Sequence, residues 1–220
     1  ISLEEGCSRI NVKMKDFDGT EVNGMGPVVD EDAVEQLKKQ LRTLTQGDTL
    51  VLAGSIPSCM SDSIYRDIMF ELKDKGVNFV VDATKDLLLN VLEFHPFLIK
   101  PNNHELAEIF GVELTTRESV IPYAKKLQEM GARNVLVSMA GEGAVLLDEK
   151  QNVYALPAPK GTLRNAVGAG DSMVAGFLAG WIEKEDYSHA FKMAVAAGSA
   201  SAFSERFAIE EEIRNLYRGI

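Results

Sequence analysis

The run Asn165-Ala166-Val167-Gly168-Ala169-Gly170-Asp171 places a carboxylate where a glycine-bearing loop turns into a helix, which continues as Ser172-Met173-Val174-Ala175-Gly176-Phe177-Leu178-Ala179-Gly180. Glycines leave backbone N–H groups bare and let a ligand come close, and the first turn of a helix adds unpaired amides and the positive end of the dipole. An anion binds at such a place. Asp171 brings its own negative charge there, which opposes a phosphate at rest on the loop but suits a base. It can take the proton from a substrate hydroxyl while the amides hold the charge building on a transferring phosphoryl group. Aspartate and glycine together also cap helices without any chemistry. The run exceeds what a cap needs, because Gly176 and Gly180 lie inside the helix expected over 171–182 and each costs about 1 kcal/mol relative to alanine. Close backbone approach to a neighbour would offset that cost, and Ala194-Val195-Ala196-Ala197-Gly198-Ser199-Ala200-Ser201-Ala202 offers an equally small face.

Other chemistries fail on spacing. No Gly-Lys-Ser or Gly-Lys-Thr occurs, which excludes a P-loop, and a dinucleotide fingerprint would need glycine where Met173 stands. His95, His104 and His189 show no H-E-x-x-H or paired spacing, and there is no G-x-S-x-G elbow. Metalloprotease and serine hydrolase readings therefore lack support.

The chain has 220 residues, enough for one domain or for one domain with a small appendage. Its 33 acidic and 23 basic residues give a net charge of −10, which argues against nucleic acid or an anionic membrane as partner. An anionic substrate then requires local cations. The apolar stretch from Met173 to Ile182 is too short to span a bilayer. Cys7 and Cys59 form no C-x-x-C pair, and such sparse usage fits a reducing cytoplasm, with a single disulfide as the alternative.

From Asp30 onward helical and strand patterns alternate. Apolar residues at Ala33, Val34, Leu37, Leu41 and Leu44 predict a helix over 30–44, and Thr49–Ala53 reads as a buried strand. A helix over 60–75, a strand over 78–82, a helix near 84–92 and a strand over 97–100 follow. Helices over 103–110 and 117–130 precede a strand over 134–138 and a hairpin partner over 144–147. Strands apolar throughout and separated by helices predict a parallel sheet covered on both faces, with ligands at the strands' carboxyl ends. Residues 1–28 differ. Arg9-Ile10-Asn11-Val12-Lys13-Met14-Lys15 alternates, Asp18-Gly19 is a turn signal and Glu21-Val22-Asn23 returns, predicting a two-sided ribbon outside the main sheet. Its polar side, Arg9, Asn11, Lys13 and Lys15, is either a solvated face or a lid presenting cations to an anionic sugar.

The strand ends carry a set of polar landmarks. Ala53-Gly54-Ser55-Ile56-Pro57 follows the first strand of the alternation, Lys100-Pro101-Asn102-Asn103-His104-Glu105 the third and Ser138-Met139-Ala140-Gly141-Glu142-Gly143 the fourth. With the Gly168–Asp171 loop they resemble, in order and across the whole chain, the ribokinase-like (PfkB) carbohydrate kinases, in particular the branch acting on phosphorylated ketohexoses.

The resemblance implies a three-layer α/β/α fold with a mainly parallel sheet, residues 1–28 forming part of a β lid and 29–220 the kinase core, its nucleotide side mainly over 130–205. It implies Asp171 as catalytic base and the amides of Ala169, Gly170 and Asp171, after Gly168, as the anion hole. Ser138, Gly141, Gly143, Gly170 and Asp171 would serve ATP, and Asn102 and Glu105 would order Mg2+ and its waters. Asn followed three residues later by Glu is equally a capping-box pattern, and both roles are compatible. Arg9 and Ser55 match positions that grip the substrate, and Lys100 and Lys160 are weaker phosphate neighbours. The implied reaction is ATP-dependent phosphorylation of fructose 1-phosphate to fructose 1,6-bisphosphate in the cytoplasm, with tagatose 6-phosphate as the alternative acceptor and a homodimer through the lid as the expected assembly. A phosphosugar or nucleotide sensor without turnover is the competing class, against which the intact Asp171 argues. Asn165-Ala166 departs from the family, which has a hydroxyl or branched residue at the second position, so one side-chain contact is expected to be lost. The chain opens on Ile1, and the family's first strand, its sugar-binding Asp and its G-G-K-G segment have no counterpart in these residues. Either the chain is a fragment or that part is lost, and an open sheet edge is expected.

Overall fold

The computed structural model describes Ile1, Leu3, residues 6–14 and residues 21–220. The chain runs β1 (Asn11–Lys13), β2 (Glu21–Asn23), α1 (Glu31–Leu41), β3 (Thr49–Ala53), α2 (Ile64–Leu72), β4 (Asn78–Asp82), α3 (Lys85–Leu89), β5 (Leu98–Ile99), α4 (Asn103–Phe110), α5 (Arg117–Glu129), β6 (Asn134–Ser138), β7 (Ala144–Leu147), β8 (Val153–Leu156), α6 (Ala169–Lys184), α7 (Tyr187–Phe203) and α8 (Glu210–Gly219). Strands β3 to β8 form one sheet in sequential order, parallel from β3 to β6 and antiparallel from β6 to β8. Strands β1 and β2 pair antiparallel as a separate ribbon, with Asn11 opposite Asn23.

Sequential strand order with right-handed crossovers sends every connecting helix to the same face of the sheet. The two cores divide accordingly. Phe79, Val81, Ile99, Val135, Val137, Val145 and Leu147 join side chains of α2, α4 and α5 on one face. Their alternates Val80, Leu98, Leu136 and Leu146 meet α6 and α7 on the other. A side-chain period of two thus explains why these strands are apolar at every position.

Caps fix where the helices begin. Asp30 accepts from the Ala33 amide at 2.8 Å, starting α1 one residue inside the expected span. Asp186 accepts from the His189 amide at 2.6 Å and starts α7 seven residues before the small-residue face at Ala194. Strand β5 is confined to Leu98–Ile99, shorter than the expected 97–100. Strand β8 and helix α8 are additions to the sequence reading. The β7–β8 turn is built on the fully buried Asp148, whose carboxylate accepts from the Lys150 and Asn152 amides, the Asn152 side chain and the Tyr154 hydroxyl.

The expected ribbon is present over β1 and β2, but its turn at Asp18-Gly19 lies outside the described residues, as does Lys15. Ile10, Val12 and Val22 on the ribbon are 66, 49 and 55% exposed. In the main sheet β3 is an edge strand, with Val51 43% exposed. Cys7 and Cys59 are free thiols. Among the described residues no helix is long and apolar enough to cross a membrane.

Helices α6 and α7 approach so closely that glycine is required between them. A Cβ on Gly176 would stand 2.6 Å from the Ala197 Cβ and from the Met193 carbonyl oxygen, and one on Gly180 would stand 2.8 Å from the Ala190 Cα. Replacing Gly176 by alanine gains about 1 kcal/mol in helix propensity but forces the pair apart, an overpacking that costs about 1–3 kcal/mol. Gly176→Ala is therefore expected to lower stability in a denaturant titration, and a rise in the midpoint would show that the helices part freely.

Candidate active site at the carboxyl ends of the strands

In a parallel sheet the loops after each strand gather at one end, and the site residues outside the ribbon segment lie at those strand ends. The loop entering α6 is shaped by glycine and by its neighbours. Gly168 has φ +76°, and a Cβ there would lie 2.3 Å from the Phe207 ring, so both backbone and space demand glycine. Asn165 folds the approach to it, its Oδ1 accepting from the Val167 amide at 3.1 Å and its Nδ2 donating to the Glu205 carbonyl at 3.4 Å. The Ala169 amide is already used, donating to the Ala166 carbonyl at 3.2 Å. Of the three expected anion-hole amides, those of Gly170 and Asp171 are left without a protein acceptor among the described residues. Asp171 is exposed in the first turn of α6. It opens on a cleft of about 490 Å3 whose walls include Ala175, Ala179, Met193, Phe207 and Arg214. The neighbouring Ser172 is held by the buried Ser201, whose hydroxyl donates to it at 2.8 Å.

A cation lies directly against this loop. The Lys100 ammonium is 3.1 Å from where a Cβ on Gly170 would stand, and it pairs with Asp82 Oδ1 at 3.1 Å. Lys100 is only 6% exposed. Burial pushes the Asp82 carboxyl up from its ordinary range; Lys100 opposes the shift, and the negative charges of Glu105 and Asp171 add to it. Asp82, Lys100, Glu105 and Asp171 thus form one electrostatic cluster. Asp82 was not singled out in the sequence, although an acid ending a buried parallel strand at its carboxyl end is a readable signal.

Asn102 is the N-cap of α4: its side chain accepts from the Glu105 amide and Glu105 Oε2 accepts from the Asn102 amide, both at 2.8 Å. The capping box is real. Asn102 also bridges to Ser138, whose amide donates to the Pro101 carbonyl, so the motif and the loop after β6 lie side by side. In that loop Gly143 has φ +95° and its Cβ would lie 2.0 Å from the Leu156 carbonyl oxygen, whereas a Cβ on Gly141 would meet nothing within 4 Å. Among the described residues no group of three or more His, Cys, Asp or Glu is arranged to hold a metal directly. Glu105 keeps one carboxylate oxygen outside the capping box, which fits contact through a metal's water shell.

Arg9 and Ser55 are brought together, the guanidinium donating to the Ser55 hydroxyl at 2.6 Å, and both are exposed. Lys100 makes no hydrogen bond to this pair among the described residues, its ammonium being paired with Asp82. Lys160 and His104 are exposed.

An anion site at a helix start, a carboxylate beside it and substrate loops at the ends of parallel strands define a phosphoryl-transfer enzyme. The comparisons agree. Residues 7–211 match the pfkB family carbohydrate kinase model, and the chain belongs to that family. It is 46% identical over 216 residues to the 1-phosphofructokinase of Bacillus subtilis, covering 98% of this chain and 71% of that protein. It is 33% identical to the D-tagatose-1-phosphate kinase of Bacillus licheniformis, covering 91% and 66%. Among solved structures it superposes with a TM-score of 0.85 on Escherichia coli phosphofructokinase-2 in complex with substrates and products, at 26% identity, covering 96% and 70%.

Removing Lys100 leaves Asp82 buried without its partner, and breaking such a pair from one side costs about 3–5 kcal/mol in full burial. Asp82 retains some solvent, so Lys100→Met is expected to lose toward the lower end of that range in a denaturant titration at neutral pH. Adding Asp82→Asn should recover part of the loss, because the stranded charge is then gone. An additive double-variant cycle would mean that the pair contributes no coupling.

Proposed function

We propose that this chain transfers the γ-phosphate of ATP to fructose 1-phosphate, giving fructose 1,6-bisphosphate. The observation that carries the reading is Asp171 exposed at the start of α6, next to the free Gly170 and Asp171 amides and the Lys100 charge. In this reading Asp171 accepts the proton of the attacking hydroxyl, and the two amides hold the negative charge that develops on the phosphoryl group as it transfers. Gly141, with open space beside it, and Ser138 and Gly143 border the nucleotide. Asn102 and Glu105 would hold a magnesium ion accompanying the nucleotide, which would neutralise part of its charge. Arg9 and Ser55 take the phosphate that the sugar already carries, since a guanidinium fork matches it bidentately. Residues 1–28 act as a lid on a core of 29–220, with the nucleotide on the side of 130–205. The exposed Ile10, Val12 and Val22 support pairing of two copies through their ribbons.

A D-tagatose-1-phosphate kinase among the relatives makes tagatose 1-phosphate the second acceptor to test. It carries the same terminal phosphate, so kcat/KM for the two sugars, measured side by side with ATP in excess, decides between them. A sensor without turnover has no use for a carboxylate facing phosphates.

Asp171→Asn keeps the loop and its amides but cannot take the proton, so kcat should fall by about 10²–10⁴ while ATP affinity by titration calorimetry changes little. A variant with near wild-type kcat would reduce Asp171 to a helix cap. Arg9→Ala should raise KM for the phosphosugar about tenfold or more, through loss of a charge-assisted contact, and leave KM for ATP unchanged. An equal rise in both would remove Arg9 from the sugar site.

A further inference from the structure

Each of the two loops to which the proposed reaction assigns a substrate turns on a glycine with empty space around it. A Cβ on Gly54 would meet nothing within 4 Å, and the same holds for Gly141. Each of these glycines thus faces open space, although the Ala140–Gly143 turn is bonded within itself, the Gly143 amide donating to the Ala140 carbonyl at 3.0 Å and the Met139 amide to the Gly143 carbonyl at 2.8 Å. Each loop is also reached from the helix behind it by one side chain that donates to the main chain. On the sugar side the Tyr65 hydroxyl, on α2, donates toward the Ala53 carbonyl at 2.8 Å and the Gly54 carbonyl at 3.2 Å. These carbonyls belong to the end of the edge strand β3 and to the residue with φ +87° that aims Ser55 at Arg9. The Tyr65 ring packs on the core beside α2, so the hydroxyl reaches out from a fixed base. On the nucleotide side the Arg117 guanidinium, at the first residue of α5, donates to the Glu142 carbonyl and stands 4.0 Å from the Glu142 carboxylate. This loop also holds Ala140 at φ +47°, a left-handed conformation that is strained in a residue with a Cβ. Such a conformation persists only where its surroundings impose it. Thr116 caps α5 and fixes the helix end from which Arg117 reaches.

We propose that Tyr65 and Arg117 are positioning residues, Tyr65 setting the Gly54-Ser55 turn for the phosphosugar and Arg117 setting the Ala140–Gly143 turn for the nucleotide, neither touching the reacting atoms. The assignment of a substrate to each loop rests on the proposed reaction. The two tethers act on different loops, so each variant is the control for the other, and a general loss of stability would affect both substrates alike.

Tyr65→Phe deletes only the hydroxyl. It should raise KM for fructose 1-phosphate about three- to tenfold, the worth of one neutral hydrogen bond, and leave KM for ATP and kcat within twofold. Arg117→Met should do the reverse, raising KM for ATP alone, and Arg117→Lys should restore part of it. Amide hydrogen exchange supplies the second measurement: residues 54–58 should exchange faster in Tyr65→Phe and residues 139–143 in Arg117→Met, each without change at the other loop. KM values that stay at wild type, or that rise together in either variant, overturn the proposal. If the wild-type chain gives no turnover with fructose 1-phosphate, the proposed reaction fails. The tethers then stand or fall on exchange alone, with unchanged exchange at both loops overturning them.

Discussion

The Lys100 ammonium stands 3.1 Å from where a Cβ on residue 170 would be, closer than an ordinary contact, so the cation and the start of α6 are set against each other. Lys100 follows β5 and Gly170 opens α6, so the contact joins the sheet end to a helix on its far face. Asp82, from the end of β4, pairs with the ammonium at 3.1 Å and holds it in place. Burial pushes the Asp82 carboxyl up and the Lys100 charge opposes that shift, so the acid depends on the lysine for its charge. Glycine at 170 leaves the ammonium its room. The loop glycines have separate reasons: Gly168 makes room for Phe207 and supplies a positive φ, while Gly170 makes room for a charge.

The second constraint lies along α6. Its first turn sits at the strand ends only if the helix lies flat against α7, and this contact is made through Gly176, Gly180 and Ala197. The helix interior gives up propensity at two positions so that its N-terminus can be held at a fixed depth. Ser201 completes the arrangement at that end, donating to Ser172 and accepting from the Ala208 amide at 3.3 Å. Packing along sixteen residues therefore sets the position of two amides and one carboxylate.

Most of the alternation of helix and strand was legible because buried parallel strands are continuous apolar runs and their helices are amphipathic. The α4 boundaries, Asn103–Phe110, follow from a capping box and a terminal Gly111 at φ +64°, both visible as residue types. Strand β8 escaped because Val153-Tyr154-Ala155-Leu156 is short and half-exposed, and it exists chiefly through its pairing with β7. Helix α8 is marked in the sequence by three glutamates in its first turn ahead of Ile213, Leu216 and Tyr217. In the site, Asp171, the glycines and the Arg9–Ser55 pair could be named from motifs. What motifs do not carry is which cation faces which acid. Lys100 was recognised as a phosphate neighbour, but its pairing with Asp82 arises from two strand ends eighteen residues apart in sequence and adjacent only in the sheet. The tethers at Tyr65 and Arg117 were illegible for the same reason, since a main-chain carbonyl accepts from any residue that the fold brings near.

Charge balance in the cluster bears on how a chain of net charge −10 holds anionic substrates. Asp82 feels the negative charges of both Glu105 and Asp171, and among the described residues Lys100 is the cation paired with it. Three carboxylates facing one ammonium leave the cluster negative, so the two free amides of α6 work against the surrounding side chains rather than with them. A triphosphate arriving alone would meet repulsion at the position where its terminal phosphate must sit. One accompanied by a divalent cation would meet carboxylates that favour the cation and amides that favour the phosphate. On the proposed reading the excess acid is then a selection device. It makes the naked nucleotide a poor ligand, and it keeps the transferring phosphate at the helix start only when the nucleotide's charge is already partly cancelled.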